Sequence, residues 1–358
     1  MTAVSVFLMA AALLFRQHIL SLIFGHVEAD VMESALVYFL ITAAAYPFMG
    51  VYNAGSALFR AMGNSSVSMF CSLVVNVINI AVNAIFIYGF GMGAAGAGIG
   101  TLASRIAAAI IIMVMLNHKS NAVRVEGVFH LEFRGDMIKR ILFVGIPNGL
   151  ENGMFQLGKI IVQGMIASYG TAAIAANAVC NSIAGFPIIP GSAIGLALIT
   201  VVGQCVGAQR YEEAKQYIHK LTGLAYLFMF FFNALIAIFC SQIVGFFSLS
   251  AEATDTAVQI MLWHSLFCAV FWPAAFTMPN GLRAANDVRF TMTVSILSMW
   301  ICRICMSYIL GTVLGMGALG TWFAMFLDWI VRIVFFAVRL HSNKWQHREL
   351  QQKMAAVD

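Results

Sequence analysis

Two carboxylates stand inside long apolar runs of this sequence, Glu151 and Asp328. Ionisable groups are costly in an apolar medium and mark function by default. Glu151 follows Pro147, and Lys159 lies eight residues further on, two helical turns away on roughly the same face. Asn148, Asn152, Gln156 and Gln163 continue a polar stripe along that segment. A carboxylate in a partly dry cavity has a raised affinity for protons. Such a group can take up H+ or Na+ and release it when the cavity opens to the other side. Glu151 and Lys159, with Asn152 and Gln156, are therefore candidates for ion coupling or substrate binding; the alternative is a Glu151 solvated near a wet mouth. Asp328 and Arg332, spaced i, i+4, predict a structural pair on one helix face. Arg16, Arg105 and Arg303 can pair elsewhere or snorkel. His264, beside Trp263, reads as a hydrogen-bonded core histidine or as a proton relay. Asn76, Asn79, Asn83, Asn177 and Asn181 sit at near-helical spacing, as polar glue between helices or as the lining of a cation path, where Asn177 and Asn181 are the candidates.

The elements that carry these residues follow from composition. The 358 residues are 61% hydrophobic and 10% charged, against about 25% charged in a soluble domain. One core cannot hide so much apolar surface, so the bilayer serves as solvent. Spanning segments must then be helices or a closed barrel, and the runs are continuously apolar, without the alternation of barrel strands. A span needs about 20 apolar residues. Ten candidates result: 3–24, 31–58, 66–89, 93–117, 138–168, 171–206, 215–247, 252–280, 289–313 and 316–340. Pro147, Pro187, Pro190 and Pro273 lie inside these runs and invite kinks. The seven cysteines also fall inside them and read as small core residues; the Cys302–Cys305 CxxC has no second pair to make a metal site.

Loop charge sets the orientation. Arg60, Lys119, Arg124, Arg134, Lys139, Arg140, Arg210, Lys215, Lys220, Arg283, Arg289, Arg339, Lys344, Arg348 and Lys353 fall in alternate connections and the tail. The opposite connections (25–30, 90–92, 169–170, 248–251, 314–315) hold no Lys or Arg. The positive-inside rule makes the first set cytoplasmic and places both termini there. The net charge of +5 is thus a membrane-topology signal and not one for nucleic acid.

The sequence repeats itself. Gly91-Met92-Gly93-Ala94-Ala95-Gly96 recurs as Gly315-Met316-Gly317-Ala318-Leu319-Gly320, 224 positions on. Arg60-Ala61 recurs as Arg283-Ala284 and Met69 as Met292 at an offset of 223, and Glu28-Ala29 as Glu252-Ala253 at 224. Pro47 pairs with Pro273 at 226. The first four runs therefore correspond to the last four as parallel repeats. The expected organisation is a truncated N-terminal lobe at 1–117, a cytoplasmic linker at 118–137, a six-helix C-terminal lobe at 138–340 and a tail at 341–358. The partners of 138–168 and 171–206 are expected upstream of Met1, in a parent of six plus six helices.

Several motifs resemble those of the multidrug and toxic compound extrusion (MATE) family. They are Pro190-Gly191-Ser192-Ala193-Ile194-Gly195-Leu196-Ala197, then Thr200-Val201-Val202-Gly203-Gln204, Gly207-Ala208 and Ala214. The first half adds Phe59-Arg60-Ala61-Met62-Gly63-Asn64, Asn76-Val77-Ile78-Asn79, Ile87-Tyr88-Gly89, the GMGAAG block and Ser104-Arg105. The resemblance covers essentially the whole chain. It implies an all-α integral membrane protein with ten transmembrane helices, drawn from a two-lobe parallel-repeat transporter fold whose first lobe is cut to four. It further implies a secondary antiporter in the plasma membrane that exports hydrophobic organic cations in exchange for H+ or Na+ by alternating access. The family's first-lobe carboxylate lies on a helix that this sequence lacks. No cofactor and no ATP-binding subunit are implied; the partners are the lipid bilayer and small organic cations. A lipid-linked saccharide flippase of the same superfamily would need a strongly cationic cavity, and the in-span basic residues look few and scattered. An inactive fragment is the other alternative, and an integral-membrane enzyme lacks any nucleophile, paired-acid or metal constellation.

Overall fold

Continuous apolar runs without alternation can satisfy their backbone only along themselves, and among the described residues every regular element is a helix. The structure is a computed structural model that describes residues 2–24, 29–118, 135–342 and 344–346. Most of the expected linker, Glu28 and the end of the tail lie outside the described residues. The chain divides into two compact units, Met1–Glu132 and Phe133–Asp358.

The first unit contains α1 (Thr2–Leu14), α2 (Arg16–Phe24), α3 (Ala29–Ala43), α4 (Tyr46–Ala61), α5 (Ser65–Ala84) and α6 (Gly93–Leu116). The run at 31–58 is broken: Pro47 stands in the first turn of α4, and the two helices meet at 43°. Helix α6 lies against α3, α4 and α5. It can do so because its inner positions are small. Gly96, Gly98, Gly100 and Ser104 are buried, and small residues let backbones approach in lipid. A Cβ on Gly98 would come within 3.2 Å of Ile41, and one on Gly100 would collide with Asn83.

The second unit contains α7 (Gly135–Ala167), α8 (Thr171–Gly207), α9 (Tyr211–Ile238), α10 (Cys240–Gly245), α11 (Ala251–Trp272), α12 (Pro279–Ala284), α13 (Val288–Ser298), α14 (Met306–Tyr308) and α15 (Gly317–His341). Helix α11 starts at Ser250, whose hydroxyl accepts from the Ala253 amide at 3.4 Å, with Glu252 in the first turn, a favourable charge at that end of the helix dipole. Pro187 and Pro190 lie inside a continuous α8, whereas Pro273 opens a π-helical segment, Pro273–Thr277. The core joins α8, α9, α11 and α15 through Ile183, Met229, Ile260, Met261, Phe326 and Trp329. Outward faces are also apolar: Leu227, Phe230, Phe231 and Ile238 of α9 are exposed, as lipid requires and water penalises.

Helices occupy all ten apolar runs. By length and composition six of them are able to cross a membrane, or seven if the bent α3–α4 pair is one span.

The repeat is visible in the backbone. A π-helical segment at Ile85–Gly89 has its counterpart at Ile309–Val313. Both lead into a turn with left-handed glycines, Gly91 and Gly93 in one copy (φ 66° and 50°), Gly315 and Gly317 in the other (φ 69° and 57°). Only glycine enters that region without steric cost. Even single bonds recur: Met92 N donates to Phe86 O at 3.0 Å, and Met316 N to Leu310 O at 3.1 Å.

Candidate functional site

Asn148, Glu151, Asn152 and Phe155 are spaced i, i+3, i+4 and i+7, so a helix presents them on one face. That face of α7 forms one wall of a cavity of about 430 Å³ within the second unit. Opposite it stand Phe276 from the π-helical turn, Asn280 and Arg283 from α12, Ser295 from α13 and Arg332 from α15. Pro273 lacks an N–H, and the Met278 amide closes the wide turn on Pro273 O at 3.0 Å. Phe276 lies within that turn, and π-helical turns recur at functional sites.

Glu151 meets a partner far away in sequence. Its Oε1 accepts from Arg283 Nη2 at 2.5 Å, and Arg283 Nη1 donates to Asn280 Oδ1 at 2.8 Å. The two side chains retain 11% and 20% exposure, so the pair is nearly dry. Glu151 Oε2 is buried with no hydrogen-bond partner. Asp328 and Arg332 form a second pair, at 2.9 Å and almost wholly buried, and Arg332 Nη2 also donates to Ser295 O at 3.0 Å. Asp328 Oδ2 is likewise buried and bare. Each carboxylate thus has one oxygen on an arginine and one buried without a hydrogen-bond partner.

Phe155 gathers cations. Lys159 Nζ lies 5.1 Å from its ring centroid, Arg303 Cζ 5.6 Å and Arg332 Cζ 5.9 Å. Arg332 also lies 5.2 Å from the Phe276 ring. The ring face attracts a cation, but three positive charges around one ring repel one another. Inserting a charged residue at mid-membrane costs roughly 2.5–3.5 kcal/mol, so the assembly calls for a use.

The other candidates lie elsewhere. Asn177 is buried in α8, where it accepts from Trp322 Nε1 at 3.1 Å and donates to Gln163 Oε1 at 2.7 Å. It bridges three helices and does not line the cavity. Asn181 donates to the Asn177 carbonyl at 2.9 Å. His264 is 1% exposed, edge-on to Trp322 and Trp329 with ring centroids 5.3 and 6.0 Å apart, and its Nδ1 is unpartnered. Gln156 and Lys159 are exposed one turn beyond the cavity. Arg283, read as a loop charge, proves to be the partner of Glu151; the same-face spacing signals Phe155, but nothing local signals Arg283. The basic residues are also not scattered. Lys159, Arg303 and Arg332, far apart in the chain, surround one ring, and Arg283 lines the adjoining cavity.

At three matching positions the first unit carries neutral groups, with Arg105 beside one of them. At the repeat offset of 224, Asn79 corresponds to Arg303, Ser104 to Asp328 and Ala108 to Arg332. Asn79 Nδ2 donates to Ser104 Oγ at 3.3 Å and Asn83 Nδ2 to Asn79 Oδ1 at 3.1 Å.

Apolar helices, a parallel repeat and a charged cavity inside one unit define a multi-pass membrane protein. The MatE family model matches residues 1–85 and 147–309, more than half of the chain. The uncharacterized transporter YisQ of Bacillus subtilis is 26% identical over 295 residues, covering 81% of this chain and 64% of its own length. The probable multidrug resistance protein NorM of Thermotoga maritima is 24% identical over 334 residues, covering 91% and 70%. Among solved structures, the outward-facing conformation of a multidrug resistance MATE family transporter of the MOP superfamily aligns with a TM-score of 0.85 at 19% identity, covering 96% of this chain and 78% of that one. The chain belongs to the MATE family. It spans less than two thirds of the length of YisQ.

Proposed function

We propose that this protein is a secondary antiporter that exports amphiphilic organic compounds by alternating access, with H+ or Na+ as the coupling ion. The observation that carries this reading is Glu151, in the cavity wall, with one oxygen on Arg283 and the other buried and bare. A carboxylate held in this way can be neutralised by a proton or screened by a metal cation, and either event loosens its hold on Arg283. The names of the relatives, transporter and multidrug resistance protein, support efflux. In this reading ten helices cross the plasma membrane with both termini in the cytoplasm, and the ion gradient drives transport without an ATP-binding subunit.

The test is uptake into proteoliposomes under an imposed pH or sodium gradient. Glu151→Gln should abolish gradient-driven flux while leaving equilibrium binding of the substrate within about threefold, a change of under 1 kcal/mol. Unchanged gradient-driven flux in this variant would remove Glu151 from coupling. A second reading, the lipid-linked saccharide flippase, is favoured by one observation, the gathering of Lys159, Arg303 and Arg332 at Phe155. It demands a lipid-borne oxyanion as cargo.

A further inference from the structure

Six charged side chains converge on Phe155 and the adjoining cavity: the carboxylates Glu151 and Asp328, and the cations Lys159, Arg283, Arg303 and Arg332. The carboxylates are taken, Glu151 by Arg283 and Asp328 by Arg332. Lys159 and Arg303 remain, and neither forms an ion pair among the described residues. Arg303 Nε is buried without a hydrogen-bond partner. A buried donor with no acceptor calls for an explanation, and guanidinium matches the planar oxygens of carboxylate, sulfonate or phosphate.

The fold does not require these charges. In the first unit the same helix pair is built with Asn79 and Ser104 bonded at 3.3 Å, at the positions of Arg303 and Asp328. Ala108 stands where the second unit has Arg332. Neutral residues therefore suffice at these three positions, with Arg105 beside Ser104 as the first unit's own charge on that helix, and the second unit carries Arg303 and Arg332 with only one matching acid, Asp328. Its π-helical segment Met299–Cys305 holds Arg303 beside the Phe155 ring.

Resting on the transporter reading above, we infer that the second unit binds the oxyanion of an amphiphilic substrate, its acidic group on Arg303 and Lys159 and its apolar body against Phe155 and Phe276. The substrates selected here are organic anions or zwitterions, in place of the simple cations that the family resemblance implies. Arg332, already held by Asp328 and Ser295 O, contributes field and leaves its fork engaged.

Isothermal titration of the purified full chain with 2-naphthalenesulfonate and with the like-sized 2-naphthyltrimethylammonium tests this. The sulfonate should bind at least about tenfold more tightly, the range of one charge-assisted hydrogen bond. Arg303→Gln and Lys159→Gln should each cost about tenfold in sulfonate affinity, with Arg303→Lys retaining most of it. Lys159 is exposed, so its substitution reports on the site even if Arg303→Gln fails to fold. Equal or tighter binding of the ammonium, or sulfonate affinity within twofold of the parent in Lys159→Gln and in a folded Arg303→Gln, overturns the inference. In nanodiscs, displacement of the sulfonate by phosphatidylglycerol but not by phosphatidylcholine identifies a lipid headgroup as the source of the oxyanion, and insensitivity to both identifies a soluble one; either supports the site. Gradient-driven flux separates the two readings. If the ammonium is transported and the sulfonate is not, antiport stands and the anion site falls. If neither moves, antiport falls and the binding data alone judge the anion site.

Discussion

Arg332 illustrates how a buried charge depends on its partner. With Asp328 fully buried and 2.9 Å away, loss of the carboxylate leaves a guanidinium in an apolar core with only Ser295 O to hold it. Asp328→Asn should therefore destabilise the protein by about 3–5 kcal/mol, and a double substitution Asp328→Leu with Arg332→Met should recover most of that loss. Thermal unfolding in detergent reads both. Asn177 behaves differently, as a neutral bridge between Gln163 and Trp322. Asn177→Ala should cost roughly 1–2 kcal/mol and leave substrate affinity unchanged, which titration of the same samples checks. At this scale Glu151 and Asp328 were legible because a carboxylate in an apolar run has few ordinary explanations. Arg283 was not, because it stands among the charges of a connection and its partner is 132 residues away in the chain. Asn177 and His264 stood out by polarity alone, which does not distinguish a group that faces a cavity from one sealed between helices.

Helix pairs in this protein close through glycine, and the repeated turns show how tightly. A Cβ on Gly320 would lie 2.6 Å from the Leu310 carbonyl carbon and 2.7 Å from the Gly311 nitrogen, both backbone atoms that cannot rotate away. Gly320→Ala should cost about 1–3 kcal/mol by overpacking. Gly164→Ala, in α7 where a Cβ meets nothing within 4 Å, should be neutral or gain up to about 1 kcal/mol of helix propensity. A similar rise in melting temperature for both would show that these glycines act through backbone entropy and not through contact. The repeat blocks and the GMG turns could be read from the chain because an offset of 224 aligns identical residues. The π-helical segments could not, since Ile85–Gly89 has the composition of any apolar helix and its wide turn arises from packing. Nor did the prolines behave alike: two sit inside α8 without ending it, and Pro273 changes the helix type.

For the molecule as a whole, the apolar runs and the placement of Lys and Arg make a directional statement. A cysteine at Ser250, in the connection before α11, should be labelled from outside intact cells by a membrane-impermeant maleimide; one at Gln209, beside Arg210, should be labelled only after permeabilisation. Both belong in a background cleared of the seven native cysteines. The reverse pattern would invert the orientation and place both termini outside. Composition disclosed the class of protein, since 61% apolar residues leave few alternatives, whereas the charge balance of the site depends on which helices meet and was hidden until they did. The equivalence of Asn79, Ser104 and Ala108 with Arg303, Asp328 and Arg332 has a consequence for ancestry and for engineering. A duplicated gene segment lets two copies of one architecture hold different chemistry, so at these three positions the molecule carries its own neutral reference. Grafting the three neutral residues into the second copy would make the two halves alike at these positions, and the ligand preference lost in the exchange would measure what the charges add.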